Sequence, residues 1–298
     1  MQPAVSTYSL ARYRRENRKS VEQCLDWLAD IGAGAVEFVG LGERDYKNPR
    51  QRARRLRQRC EQLGLRIVGY CTGGELLRQG DDLRTEVDRI KREIDVAAEL
   101  GAPSMRHDVT RGPGENDNLD FAAVLDRIAP PIRELAEHGQ QRGVVTTLEN
   151  HGFYMQTAER VGKLIDTVDH PNFRLTIDLG NFLCLNQDPL DATQRLANRV
   201  VMAHAKDFHI KPKDQTPPDA PAVNSHPAVP AGWIRTPTDI ALRGTITGHG
   251  ALNLPAQLAA LQHAGYDGPL SLEFEGPEDP LNAVRLGLAY LQQQPAAR

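Results

Sequence analysis

Apolar residues recur along this chain with two periods that take turns, steps of three and four for helix and steps of two or short runs for strand. Ser20-Val-Glu-Gln23 has the form of a capping box. Behind it Val21, Cys24, Leu25, Leu28 and Ile31 keep a helical stripe as far as Gly32. The strand AVEFVG (35–40) follows, then an arginine-rich helix to Leu63 and the strand LRIVGY (65–70). Leu83, Val87, Ile90, Ile94 and Ala97 mark a long helix that stops at Gly101. PSMRHDV (103–109) reads as a short strand, and the helix over about 119–139 must be bent or split by Pro130-Pro131. GVVTTLEN (143–150), FRLTIDLGN (173–181), RVVMAHAKDF (199–208) and PLSLEFEG (269–276) supply strands five to eight, with AVSTYSL (4–10) as the first. Asp188-Pro189 is an N-cap with a first-turn proline.

Eight strands separated by helices predict a parallel sheet, either closed or open. An open nucleotide-binding sheet needs a glycine-rich first turn, and SLARYRRENRKS contains no glycine. The prediction is therefore one α/β domain over 1–298, a (β/α)₈ TIM barrel. The stretch 211–250 breaks the alternation: it holds seven prolines and no helical period. It is expected to be a long Pro-rich loop after strand seven, lying over the catalytic face with Trp233, Arg235 and Arg243.

Composition narrows the classes further. With 36 basic and 39 acidic residues the net charge is −3, which is wrong for a nucleic-acid binder. Arginines 50, 52, 54, 55, 57 and 59 surround their helix, as in a solvated outer helix. No run of about 18 apolar residues is present, and the first twenty residues lack a secretory stretch, so the expectation is a cytoplasmic protein with no membrane partner. Cys24, Cys60, Cys71 and Cys184 form no CxxC pair and read as reduced core cysteines.

The chemistry sits at the strand ends. Glu149, Asp178, His204 and Glu273 each follow at least three mainly apolar residues on four consecutive strands. Carboxylates carried together into a barrel repel one another unless a divalent cation accepts their oxygens and one imidazole nitrogen. The oxygen-rich set suits one Mn²⁺, Mg²⁺ or Co²⁺, with Zn²⁺ also admitted. Glu37, His107, His151, Asn181 and Lys206 are further strand-end candidates for substrate contact or ligand orientation; Trp233 and Arg243 are candidates from the loop. Lys206 and Asp207 read as a local ion pair.

LENHG (148–152), IDLGN (177–181), HAKD (204–207) and GHGALNLPAQLAALQHAGYDGPLSLEFEG (248–276) resemble, in order, motifs of the xylose-isomerase-like barrels, the sugar phosphate isomerase/epimerase superfamily. The resemblance implies that Glu149, Asp178, His204 and Glu273 are metal ligands, with Glu149 and Glu273 also an acid/base pair. It implies an isomerase or epimerase working on a small carbohydrate by proton transfer through a stabilised enediolate. The alternative it offers is a lyase, dehydrating inososes or dehydroshikimate or eliminating from oxidised glycosides. Asn181 stands where ketose epimerases carry histidine, and AKDFHIK lacks their arginine after the metal histidine. An apurinic-endonuclease branch needs more histidines than this chain offers. A non-catalytic sugar binder would have no need of two carboxylates on one cation. No phosphate-cradling glycine loop is present, which favours a non-phosphorylated substrate; a homo-oligomer is left open.

Overall fold

A computed structural model describes residues 1–42, 46–114, 119–223 and 232–294. Eight parallel strands close into a barrel: β1 (Gln2–Ser6), β2 (Ala35–Val39), β3 (Arg66–Thr72), β4 (Ser104–His107), β5 (Val145–Glu149), β6 (Phe173–Asp178), β7 (Val200–Ala205) and, last in the ring, β11 (Pro269–Leu272). Around it lie α1 (Ala11–Asn17), α2 (Val21–Asp30), α3 (Pro49–Leu63), α4 (Gly80–Leu100), α5 (Phe121–Arg142), α6 (Ala158–Val168), α7 (Pro189–Leu196), α8 (Leu254–His263) and α9 (Pro280–Gln292). No described helix is long and apolar enough to cross a membrane.

Local chemistry accounts for the elements. Ser20 accepts from the Gln23 amide while the Gln23 side chain accepts from the Ser20 amide, so the capping box starts α2. Asp188 caps α7 through the Asp191 amide. α1 has no buried residue, and for that reason no apolar stripe announced it. Pro130 and Pro131 sit inside one continuous α5 and do not split it; the apolar residues flanking them, Val124, Leu125, Ile128, Ile132 and Leu135, are buried and hold the helix to the barrel. The arginines of α3 are solvated but not idle. Arg52 pairs with Glu22 and Arg59 with Asp26 on α2, while Arg50 and Arg54 reach Asp95 and Glu99 on α4. All four cysteines are free and buried.

Inside the barrel, below the strand ends, the filling is mixed. Ala4, Ala35, Val68 and Met202 form an apolar cluster. Thr176, the register partner of Met202, shares a buried hydrogen bond of 2.7 Å with Thr147, and the Ser271 hydroxyl donates to Glu37 Oε2 at 3.0 Å. The period of two then places Glu149, Asp178 and His204 inward, one step higher on β5, β6 and β7. Asp178 and His204 are register partners. Glu273 directly follows β11, tied to the ladder by its own amide, which donates to the Ala205 carbonyl.

The segment after β7 is more ordered than a loop. β8 (Asp207–Lys211), β10 (Ala241–Thr245) and β9 (Ile234–Arg235) form a small antiparallel sheet in that order. Its apolar residues alternate without helical period, and the described prolines, Pro212, Pro217, Pro218, Pro221 and Pro237, lie between the strands, where a missing N–H costs nothing. Residues 224–231 of the predicted loop lie outside the described residues. Asp207 fixes how this sheet leaves the barrel, since its carboxylate accepts from the backbone amides of Phe208, Gly248, Gly250 and Leu252. Gly250 is required there, because a Cβ would fall 2.1 Å from Asp207 Oδ1. Asp207 is thus a backbone organiser and not the partner of Lys206.

Asp207→Ala leaves four amides without their acceptor and is expected to destabilise the fold by about 2–4 kcal/mol in urea titration, the larger figure if water cannot enter. A loss under about 0.5 kcal/mol would show that the turn holds itself.

Candidate metal centre

Each predicted ligand arrives on a different strand, and the backbone around it is held. Asn150 clamps the end of β6, donating to the Asp178 carbonyl at 2.9 Å and accepting from the Asp178 amide at 2.7 Å. The amides of Gly180 and Asn181 both donate to Asp178 Oδ1, at 2.8 and 2.9 Å, which leaves Oδ2 without a hydrogen bond. His204 donates from Nε2 to Glu37 Oε1 at 2.9 Å. Glu37 also accepts from the Cys71 thiol and from Ser271, so this carboxylate fixes the imidazole. Glu37 is fully enclosed and orients the imidazole; it does not face the cavity.

With Nε2 occupied, Nδ1 of His204 faces Glu149 Oε1 at 3.3 Å and Glu273 Oε1 at 3.6 Å. Donor atoms of Glu149, Asp178, His204 and Glu273 all lie within 4.8 Å of one another, and all four residues are buried. Glu149 Oε2 and Asp178 Oδ2 are buried and accept no hydrogen bond. An imidazole nitrogen facing two carboxylates, beside two buried oxygens with free lone pairs, is a donor set that fits a divalent cation.

The electrostatics agree. Burial opposes a charge on His204, yet Glu37, Glu273 and Glu149 raise its pKa well above the usual histidine value. The carboxylates thus demand positive charge at this nitrogen. Burial raises Asp178 to about 6; Lys206 opposes the shift, and Glu149 and Glu273 reinforce it. Glu149 goes the other way: despite burial, Arg106 and His204 hold it well below the ordinary carboxylate range.

A ring of cations surrounds the cluster. Lys206 Nζ stands 3.0 Å from Glu273 Oε2 and 3.4 Å from each of Asp178 Oδ2, Glu275 Oε2 and Asn181 Oδ1. Burial would lower its pKa, but these carboxylates raise it, so Lys206 is an ammonium. Arg106 Nε lies 2.9 Å from Glu149 Oε2, a contact of charges without hydrogen-bond geometry. His151 Nδ1 is 3.5 Å from Asp108 Oδ1; burial would lower its pKa, and Asp108 and Glu149 raise it instead. Asn181 donates to Glu149 Oε1 at 3.3 Å, joining the cluster to Lys206. These groups open into a cavity of ≈ 1110 Å³.

Besides Glu37, three expected contacts are absent from that cavity. His107 points away from it, because β4 alternates and turns Arg106 and Asp108 inward. Its Nδ1 meets the Asp108 carbonyl at 3.1 Å, its ring lies 6.2 Å from that of Phe173, and Nε2 is buried without a partner. Trp233 lies on the outer face of the β8–β10–β9 sheet, between the cations of Lys211 and Arg243 at 4.5 and 5.1 Å. Arg243 shares that face and also stays out of the cavity. Conversely, Tyr8, Arg106, Asp108 and Glu275 line the cavity unforeseen. For Arg106 and Asp108 the signal was present in MRHDV: whichever phase carries the charges inward must carry His107 outward.

Two outcomes follow. Asp178→Ala should lower bound Mn²⁺, measured by elemental analysis after dialysis, by at least about tenfold; unchanged metal content would remove it from the ligand set. Burial pushes His107 down to about 4. An unfolded histidine titrates near 6.5, so between pH 6.5 and 4 only the unfolded chain takes up this proton. Stability should therefore be fully present above pH 6.5 and fall by up to about 3 kcal/mol as pH drops to 4. His107→Gln should flatten that part of the stability–pH curve, and an unchanged slope would show that the imidazole is not held neutral.

Comparisons with known proteins give the family and the fold. The chain matches the xylose isomerase-like TIM barrel family over residues 25–294. It is 24% identical to the 3-dehydroshikimate dehydratase of Pseudomonas putida over 308 residues, covering 100% of this chain and 43% of that protein, so it spans less than half of that relative. It is 24% identical to the inosose dehydratase of Geobacillus thermodenitrificans, over 87% of this chain and 83% of that one. The crystal structure of the probable 3-DHS dehydratase AsbF from Bacillus anthracis superposes with a TM-score of 0.75 at 17% identity, over 99% of this chain and 100% of that one, a likeness of fold. With eight strands in one closed ring and a family match over most of its length, the chain belongs to the xylose isomerase-like TIM barrel family.

Proposed function

We propose that this protein is a metal-dependent lyase of the dehydratase kind, acting on a small cyclic polyhydroxylated ketone. The observation that carries the reading is the presence of three cationic side chains, Arg106, His151 and Lys206, in one cavity with the carboxylate cluster. A divalent cation held by Glu149, Asp178, His204 and Glu273 would supply Lewis-acid polarisation of the ketone and its neighbouring hydroxyl. The protein's own groups do the rest. Glu149 and Glu273 are the carboxylates placed to take the proton from the carbon beside the ketone. The Lys206 ammonium and the Arg106 guanidinium hold the negative charge that then develops on oxygen. His151, whose pKa Asp108 and Glu149 raise, gives its proton to the β-hydroxyl, which leaves as water while the C–O bond breaks and the new double bond forms.

Isomerisation or epimerisation begins with the same proton abstraction but ends by returning the proton to carbon. In an epimerisation that return comes on the opposite face, from a second carboxylate that exchanges roles with the first. Here Glu149 is tied to Arg106 and Glu273 to Lys206, each beside a fixed cation. A hydroxyl-leaving step instead uses an acid such as His151. The names of the two dehydratase relatives point the same way.

Glu149→Gln and Glu273→Gln should each lower turnover of a cyclic keto-polyol such as an inosose by at least about 10³-fold while the barrel still melts cooperatively. His151→Gln should lose water release more than solvent deuterium exchange beside the ketone. Mass spectrometry of the product decides the reaction: a loss of water supports the lyase, and an isomer of unchanged mass overturns it in favour of isomerisation.

A further inference from the structure

The cavity over the carboxylates has two unlike sides. One is ionic, with Arg106, Glu149, His151, Lys206, Glu273 and Glu275. The other is hydrocarbon, formed by Phe153, Cys184, Phe208, Val223, Ile234 and Leu242. Cys184, Phe208, Val223 and Leu242 make a cluster separate from the main core, with Phe153 and Ile234 packed on it and only partly buried. Strand β10 turns Leu242 to the cavity and Arg243 to the outer face. A sheet beside a site for a bare polyol would serve by turning hydroxyls and amides inward. This one keeps its polar side chains outside.

Size and backbone strain point the same way. A cyclic keto-polyol has about 12 non-hydrogen atoms, which at no more than the ~30 Å³ of a liquid water each fill about 360 Å³. The cavity offers ≈ 1110 Å³. Phe153 has φ = 66°, left-handed backbone that an aromatic residue rarely adopts. Its amide donates to Gln156 Oε1 at 2.7 Å, and Gln156 in turn bonds the carbonyl of Asn181, the residue that touches Glu149. The position would suit glycine, yet it presents a ring to the cavity.

We propose that this hydrocarbon wall is a substrate subsite: the natural substrate is a cyclic polyhydroxylated ketone bearing an apolar, aryl-sized substituent that lies against Phe153, Phe208 and Leu242. The inference rests on the lyase reading of the same site and specifies its substrate class. Phenyl and methyl β-D-glucopyranoside share a ring, differ only in the substituent and lack the ketone, so neither is turned over during a titration. Titrated calorimetrically into Mn²⁺-supplied protein, the phenyl compound should bind at least about tenfold more tightly, as burial of a phenyl-sized surface requires. Phe153→Gly keeps the amide and relaxes φ, and should reduce that preference by about fivefold. Leu242→Asn, at a second point on the wall, should reduce it as well. Equal affinities in the wild type, or a preference unchanged in both variants, overturns the subsite. An inosose incubated in deuterated solvent reports the proton-abstraction chemistry separately: neither deuterium exchange nor loss of water, with the phenyl preference intact, refutes the lyase reading and leaves the subsite standing.

Discussion

His204 Nδ1 faces two carboxylates, and the rest of the molecule is arranged around that confrontation. Neutral imidazole nitrogen and carboxylate oxygen both carry lone pairs, so at these separations they repel unless positive charge lies between them. Glu37 makes the problem inescapable by taking the Nε2 proton and fixing the ring. Asn150 and the amides of Gly180 and Asn181 do the same for Asp178, leaving one oxygen that accepts no hydrogen bond. Such rigidity is costly for an apo protein and useful for one that holds a cation in fixed geometry.

The barrel makes that geometry simple to build. Strand sides alternate, so the inward positions one step below the candidate ligands carry Thr147, Thr176, Met202 and Ser271, a dry floor of hydroxyls and hydrocarbon. Parallel strands all end at the same rim, and four side chains from four strands therefore meet without any single loop having to be long. The excursion after β7 then adds what the barrel lacks, a second wall, and Asp207 anchors its departure through four backbone amides.

Charge in the cavity is balanced in pairs, Arg106 with Glu149, Lys206 with Glu273, His151 with Asp108. A site so furnished can stabilise an oxyanion and deliver a proton without changing its own net charge by much. The hydrocarbon side does neither, and under the proposed function it would select what is attached to the reacting ring.

The sequence by itself determined the barrel, because period, caps and strand count are local properties that each segment shows alone. It also determined which four side chains would meet at the rim, since a carboxylate or histidine closing an apolar run on each of four successive strands must be carried to the same end of a parallel barrel. Phase was not decided locally. In MRHDV nothing nearby says which side of β4 faces inward, and only pairing with β3 and β5 turned Arg106 and Asp108 to the cavity and buried His107 behind them. The segment after β7 posed the same problem more sharply. Its proline content concealed three short strands, whose antiparallel pairing sent Trp233 and Arg243 outward and Leu242 inward. Partners distant in sequence, such as Glu37 for His204 or Asp207 for Gly250, exist only once the ring is closed, since it is closure that sets their separation.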